Sequence, residues 1–146
     1  MWNDISDERS LNTFMSMIGH FHDGCIKEIK YLSGAYVGED LAMYPINDKR
    51  VLKVIIQRQY RDIPVVELEF EGLKYLRLFA DDEGYTCEIL DSTIILKDGL
   101  VYWCDCGDLT EADLESYDGT VICASKLRWR SVENGLGNEE MYVSRV

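Results

Sequence analysis

Imidazole is scarce in this chain. His20 and His22 are its only histidines, so chemistry near neutral pH that needs an unperturbed imidazole must run through one short stretch, Gly19-His20-Phe21-His22-Asp23-Gly24-Cys25-Ile26. Positive charge is scarce too. Fifteen Lys and Arg stand against 27 Asp and Glu, a formal charge of -12, and such a surface repels phosphate backbones, which argues against nucleic acid as a partner. No apolar run approaches the ~18 residues of a bilayer-spanning helix, so no membrane partner is expected. The opening Met1-Trp2-Asn3-Asp4-Ile5-Ser6-Asp7-Glu8 lacks the basic-then-apolar layout of an export signal, which points to a cytoplasmic location. Five cysteines, Cys25, Cys87, Cys104, Cys106 and Cys123, are an odd number and spread out, as suits reduced, partly buried thiols. Also missing are a glycine-rich phosphate loop, a nucleophile elbow, an HExxH pair and a second cluster that would supply a base to a cysteine. Catalysis and a cofactor are therefore not expected. With no repeat, linker or low-complexity segment, residues 1–146 read as a single domain.

What is present is one helical pattern followed by many strand-like ones. Leu11, Phe14, Met15 and Ile18 fall at i, i+3, i+4 and i+7 on one helix face. Asp4 or Ser6 is placed to cap its start, Asp7 and Glu8 suit its positive end, and Gly19 suits a left-handed stop. From Gly24 the pattern turns to period two. Cys25 to Leu32 predicts a first strand, continued through Ser33 to Gly38, and Glu39 to Lys49 reads as a loop whose Met43 and Tyr44 tuck back onto the body. Val51 to Tyr60 is rich in β-branched residues. Val65 to Glu71 alternates cleanly, with Val66, Leu68 and Phe70 inward and Glu67, Glu69 and Glu71 toward water. Gly72 is expected to separate this strand from Leu73 to Phe79, and Tyr85 to Leu90 and Asp91 to Lys97 read as further strand.

Asp98-Gly99 between two apolar runs predicts a two-residue hairpin with positive φ at both central positions. That turn pairs Leu96 with Val101, Ile95 with Tyr102 and Ile94 with Trp103. Asp105 to Asp118 is an acidic interruption. Thr120 to Ser131 is a last long strand carrying Lys126, Arg128 and Arg130 on one side, and Met141 to Val143 suggests a short edge strand. The expected class is α+β, mainly β: an amphipathic N-terminal helix followed by a curled antiparallel sheet or sandwich of about seven strands.

Three groups of residues carry possible chemistry. His20 and His22 at i, i+2 would share one side of an extended segment and, with Asp23 and Cys25, form an alternative metal or small-ligand site; the plainer reading is that His22 and Asp23 satisfy backbone groups where helix gives way to strand. Cys104-Asp105-Cys106 repeats that spacing but lacks the two-residue gap of zinc knuckles and thioredoxin-like motifs. Asp105, Asp108, Glu111, Asp113, Glu115 and Asp118 do not follow the calcium-loop spacing; they read as a solvated loop or as a contact surface for a basic protein. Lys126, Arg128 and Arg130 are expected to pair with Glu67, Glu69 and Glu71 on a neighbouring strand.

Phe14 to Ile26, a helix ending at Gly19 followed by Phe21-His22-Asp23-Gly24-Cys25-Ile26, resembles the Phe-His-Asp-small-x-aliphatic opening of a group of small bacterial domains. One branch of that group is assigned, chiefly from gene neighbourhood, as immunity proteins of polymorphic toxin systems. The resemblance implies no catalytic residue, and Phe21, His22 and Asp23 are its marker. Charge, missing motifs and resemblance together lead to the expectation of a non-enzymatic cytoplasmic binding protein, most concretely an immunity-type inhibitor of a basic toxin or enzyme. A structural assembly unit using the aromatic hairpin around Tyr102 and Trp103 is a third reading, and the oligomeric state is left open.

Overall fold

The structure is a computed structural model and describes residues 1–143. A short strand β1 (Asn3–Ile5) leads into helix α1 (Glu8–Met17). Asp7, and not Asp4 or Ser6, caps the helix: its carboxylate accepts from the Ser10 amide at 2.8 Å, and the Ser10 hydroxyl accepts from the Asp7 amide at 3.1 Å. This reciprocal capping satisfies two amides that lack helical partners. The expected stripe holds, since Leu11, Phe14, Met15 and Ile18 are all buried.

Then follow β2 (Gly24–Leu32), β3 (Tyr36–Val37), β4 (Met43–Tyr44), β5 (Val51–Arg58), β6 (Val65–Arg77), β7 (Thr93–Lys97), β8 (Leu100–Cys104) and β9 (Val121–Ser131). Among the described residues, seven of nine strands form one antiparallel sheet in the order β2-β5-β6-β9-β8-β7, with β1 also paired to β9, and the sheet stays open; β3 and β4 pair only with each other. The architecture is the α+β, mainly β, arrangement expected. Among the described residues no helix is long and apolar enough to cross a membrane.

The hairpin at Asp98-Gly99 has the predicted turn, with φ of 52° and 75°, and its register pairs Ile94 with Trp103, Ile95 with Tyr102 and Leu96 with Val101. Trp103 is nevertheless fully buried, which removes it from any assembly surface. Other expectations fail for identifiable reasons. Gly72 does not end its strand: β6 runs through it at φ 63°, where Ser125 approaches so closely that its Oγ lies 2.8 Å from the site of a Cβ. Tyr85 to Leu90 is loop, tied to the sheet by a single bridge from Ile89 to Gly24. Met141 to Val143 form no strand; instead the Glu28 carboxylate accepts from the amides of Met141 and Tyr142. Met43 and Tyr44 face outward, at 64% and 46% exposure.

The core lies between α1 and one face of the sheet. Phe14 stacks on Trp129 with ring centres 4.7 Å apart and meets Phe21 edge-on at 5.6 Å, and Phe21 in turn meets Trp103 at 5.9 Å. Each large apolar side chain so buried contributes roughly 1.5–3 kcal/mol. The opposite face carries the expected ladder, with Glu67 opposite Arg130, Glu69 opposite Arg128 and Glu71 opposite Lys126. Glu67 and Glu69, expected to face water, are in fact buried at 3% and 5% exposure. Both chain ends cover them: Trp2 lies against the Arg128 and Arg130 guanidinium groups at 4.4 and 4.5 Å, and the Tyr142 hydroxyl donates to Glu67. Ion pairs at 2.7 Å (Arg128 to Glu69) and 2.8 Å (Arg130 to Glu67) compensate the buried carboxylates.

Candidate functional site

The junction between α1 and β2 is a tight turn built almost entirely from left-handed residues. Gly19, His20, Phe21 and Asp23 have φ of 56°, 56°, 62° and 60°, a conformation that costs each non-glycine residue roughly 1–2 kcal/mol. The surroundings hold it in place. Arg58 on β5 is buried, has no carboxylate partner among the described residues, and donates to the carbonyls of Ile18 (2.9 Å), Asp62 (3.1 Å) and Ile63 (2.7 Å). Buried Ser92 donates its hydroxyl to the His20 carbonyl at 2.9 Å, and the Asp23 amide donates to the Ile89 carbonyl at 3.0 Å. Phe21 becomes the buried plug of the turn while both histidines are left half-exposed.

This geometry undoes the extended i, i+2 arrangement expected for the histidines. His20 Nδ1 lies 3.7 Å from Asp91 Oδ1, whereas His22 Nδ1 lies 3.0 Å from Asp23 Oδ2. The four donors of the metal alternative, His20, His22, Asp23 and Cys25, do not converge, and no three His, Cys, Asp or Glu side chains among the described residues are grouped to hold a metal ion.

The two histidines do share a groove of about 860 Å³, enclosed by α1, the turn, residues Leu90 to Ile94 and Asp108. Leu90, 67% exposed, gives it apolar surface above the nearly buried Leu11, Met15 and Ile94, and Glu8, Asp91 and Asp108 line it from three separate elements. Of these only Asp108 belongs to the acidic stretch singled out in the sequence. Asp91 and Glu8 join it through tertiary structure alone: Gly107 leaves Asp91 room, since a Cβ there would sit 2.0 Å from the Asp91 Oδ2 atom. An apolar floor with carboxylates at the rim fits a side chain with a hydrocarbon stem and a cationic head, that is, Lys or Arg.

The six acids of residues 105–118 separate into two sets. Asp105 is spent on the loop itself, accepting from the Tyr117 hydroxyl and from the Thr120 amide at 3.1 Å. Asp113 is likewise spent, accepting from the Thr110 amide (2.8 Å) and hydroxyl (2.9 Å), and these bonds hold its carboxyl below the usual carboxylate range. Asp108, Glu111, Glu115 and Asp118 are exposed. Leu114 anchors the loop by packing with Cys104 and Val121, and Arg77 donates to its carbonyl at 2.9 Å.

Cys104 sits at the buried end of β8, where burial first and the Asp105 charge second push its thiol up to about 11. A neutral buried thiol is neither a ready ligand nor a nucleophile, and all five cysteines are free. Arg128 and Arg130 pair with Glu69 and Glu67 as expected, while the exposed Lys126 stands opposite Glu71 without an ion pair among the described residues.

The fold and the groove define an open antiparallel sheet with one covering helix and an acid-rimmed cleft at the helix-to-strand turn. Comparison of the chain with protein-family models, with curated proteins and with solved structures found no match.

Proposed function

We propose that this chain is a non-enzymatic binding protein that docks a basic partner protein against the groove beside His20 and His22, acting as an immunity-type inhibitor that occludes the partner's working surface. The observation that carries the reading is the meeting of Glu8, Asp91 and Asp108 around one groove beside the exposed Leu90. The exposed carboxylates of Glu111, Glu115 and Asp118 extend the negative field beyond Asp108, and the -12 net charge would speed encounter with a cationic surface. Backbone strain concentrated in the turn beneath the groove is the kind of cost that folds bear at binding sites. The reading places the protein in the cytoplasm of a bacterium, next to the enzyme or toxin it restrains.

The test uses the purified chain as bait in extract of its own cells, beside a Glu8→Gln/Asp91→Asn/Asp108→Asn variant. The reading expects a basic protein retained by the wild-type bait at low salt, weakened at moderate salt, and lost from the variant. A set of retained proteins identical for both baits, or none at low salt, contradicts it.

A further inference from the structure

The excursion between β2 and β5 is held to the body at its base, where the amides of Lys49 and Arg50 donate to the Ser33 carbonyl at 3.0 and 3.2 Å. Beyond that base it is a two-stranded ribbon. Tyr36 pairs with Tyr44 and Val37 with Met43, the two tyrosine rings stack at 4.7 Å, and the tip is closed by hydrogen bonds between Gly38 and Ala42 (2.9 Å) and from the Ala42 amide to Asp40 (3.1 Å). A two-stranded ribbon is marginal by itself in water. This one also carries a run of exposed apolar side chains, Tyr36, Val37, Leu41, Met43, Tyr44 and Ile46, from 46% exposed at Tyr44 to 84% at Leu41.

Neighbouring strand residues point to opposite faces, so the side of Val37 and Met43, with Leu41 at the tip, exposes on the order of 350 Å², enough for a weak, concentration-dependent pairing and short of a standard interface. Charge narrows the choice of partner. Residues 30–50 hold three basic groups, Lys30, Lys49 and Arg50, and three acidic ones, Glu39, Asp40 and Asp48, so this stretch is neutral within a chain of net charge -12. A strongly basic partner would be drawn elsewhere. The arrangement along the ribbon is polar as well: Glu39 and Asp40 form the tip, while the base carries Lys49 and Arg50 beside a single acid, Asp48. Two such ribbons laid antiparallel across a two-fold axis set each acidic tip against the other's basic base, with Val37, Leu41 and Met43 between them.

We infer that the ribbon of residues 36–44 is a self-association surface, through which two copies of this chain pair antiparallel, tip to base. The inference is independent of what the groove binds.

Analytical ultracentrifugation of the full chain over a wide concentration range tests it. Wild type is expected to form a dimer that strengthens at moderate salt, as the mutual repulsion of two acidic bodies is screened. Leu41→Asp/Met43→Asp alters only exposed side chains. It is expected to keep the wild-type circular dichroism spectrum and to dimerise at least about tenfold more weakly. The geometry has its own arm: Glu39→Lys/Asp40→Lys and Lys49→Glu/Arg50→Glu each lose the dimer alone and regain it, as a mixed dimer, when combined. A wild-type chain that stays monomeric at every concentration and salt overturns the inference, as does a dimer unchanged by Leu41→Asp/Met43→Asp. Dimerisation lost by that variant without recovery in the charge mixture overturns the tip-to-base pairing.

Discussion

Arg58→Met separates the guanidinium of Arg58 from the space it fills. The side chain is buried, its three carbonyl acceptors belong to the end of α1 and to the loop after β5, and burial pushes its pKa down, with no carboxylate in hydrogen-bond contact among the described residues. Methionine keeps most of the stem and removes every donor. Hydrogen bonds to a charged group are worth about 1.5–3 kcal/mol each, and the variant recovers the cost of holding an ion away from water, so the net loss works out at about 2–4 kcal/mol. For a chain of this length that lowers the thermal midpoint by roughly 5–15 °C. Urea unfolding should show the loss as a lower midpoint with unchanged slope. Hydrogen exchange should show it first in the amides of α1 and the His20 turn, because Ile18 marks the helix end that Arg58 ties to the sheet. Arg58→Lys should restore only part of the loss, since one ammonium cannot span three carbonyls as a planar fork does. An Arg58→Met variant with the wild-type midpoint would refute the reasoning, because those carbonyls would then be satisfied without the guanidinium.

Gly99→Ala meets no neighbouring atom but demands φ of 75° from an alanine, so urea unfolding should show a loss of about 1–2 kcal/mol arising from the backbone alone. Stability should fall at high pH through Cys104: its folded value, about 11, lies above the ordinary 9.0, so the unfolded state binds fewer protons between the two. The contribution is complete below about 9 and lost as pH rises toward 11; Cys104→Ala should flatten that decline in urea titrations. Untagged protein assayed by elemental analysis should carry no stoichiometric metal. Metal present in wild type and lost in His22→Ala would reinstate the His20, His22, Asp23 and Cys25 site.

The parts of this fold that local rules govern were legible in the sequence. Asp98-Gly99 sets its own turn and therefore the pairing of Ile94 with Trp103, and the alternation of Glu67, Glu69 and Glu71 against Lys126, Arg128 and Arg130 specifies one ladder register. What lay beyond those rules depends on distant chain. Glu67 and Glu69 become buried because Trp2 and Tyr142, from opposite ends, close over the ladder. The histidines diverge because Phe21 is drawn into a core with Phe14 and Trp103, forcing left-handed backbone where extension was expected. Of the acidic stretch only Asp108 reaches the groove, and neither Asp91 nor Glu8 had any local signature that joined it there. The outward turn of Met43 and Tyr44 has the same origin: the short ribbon pairs with itself and finds no surface of the body to cover it.

Site-specific photocrosslinking tests the central claim most directly. A photoreactive residue at Asn12, which lines the groove, is compared in living cells with one at Glu71, on the opposite face of the sheet. The account predicts a covalent adduct to one basic protein from position 12, abolished by Asp91→Asn/Asp108→Asn, and none to that protein from position 71. An adduct to the same protein from position 71 alone, or none from position 12, would contradict it.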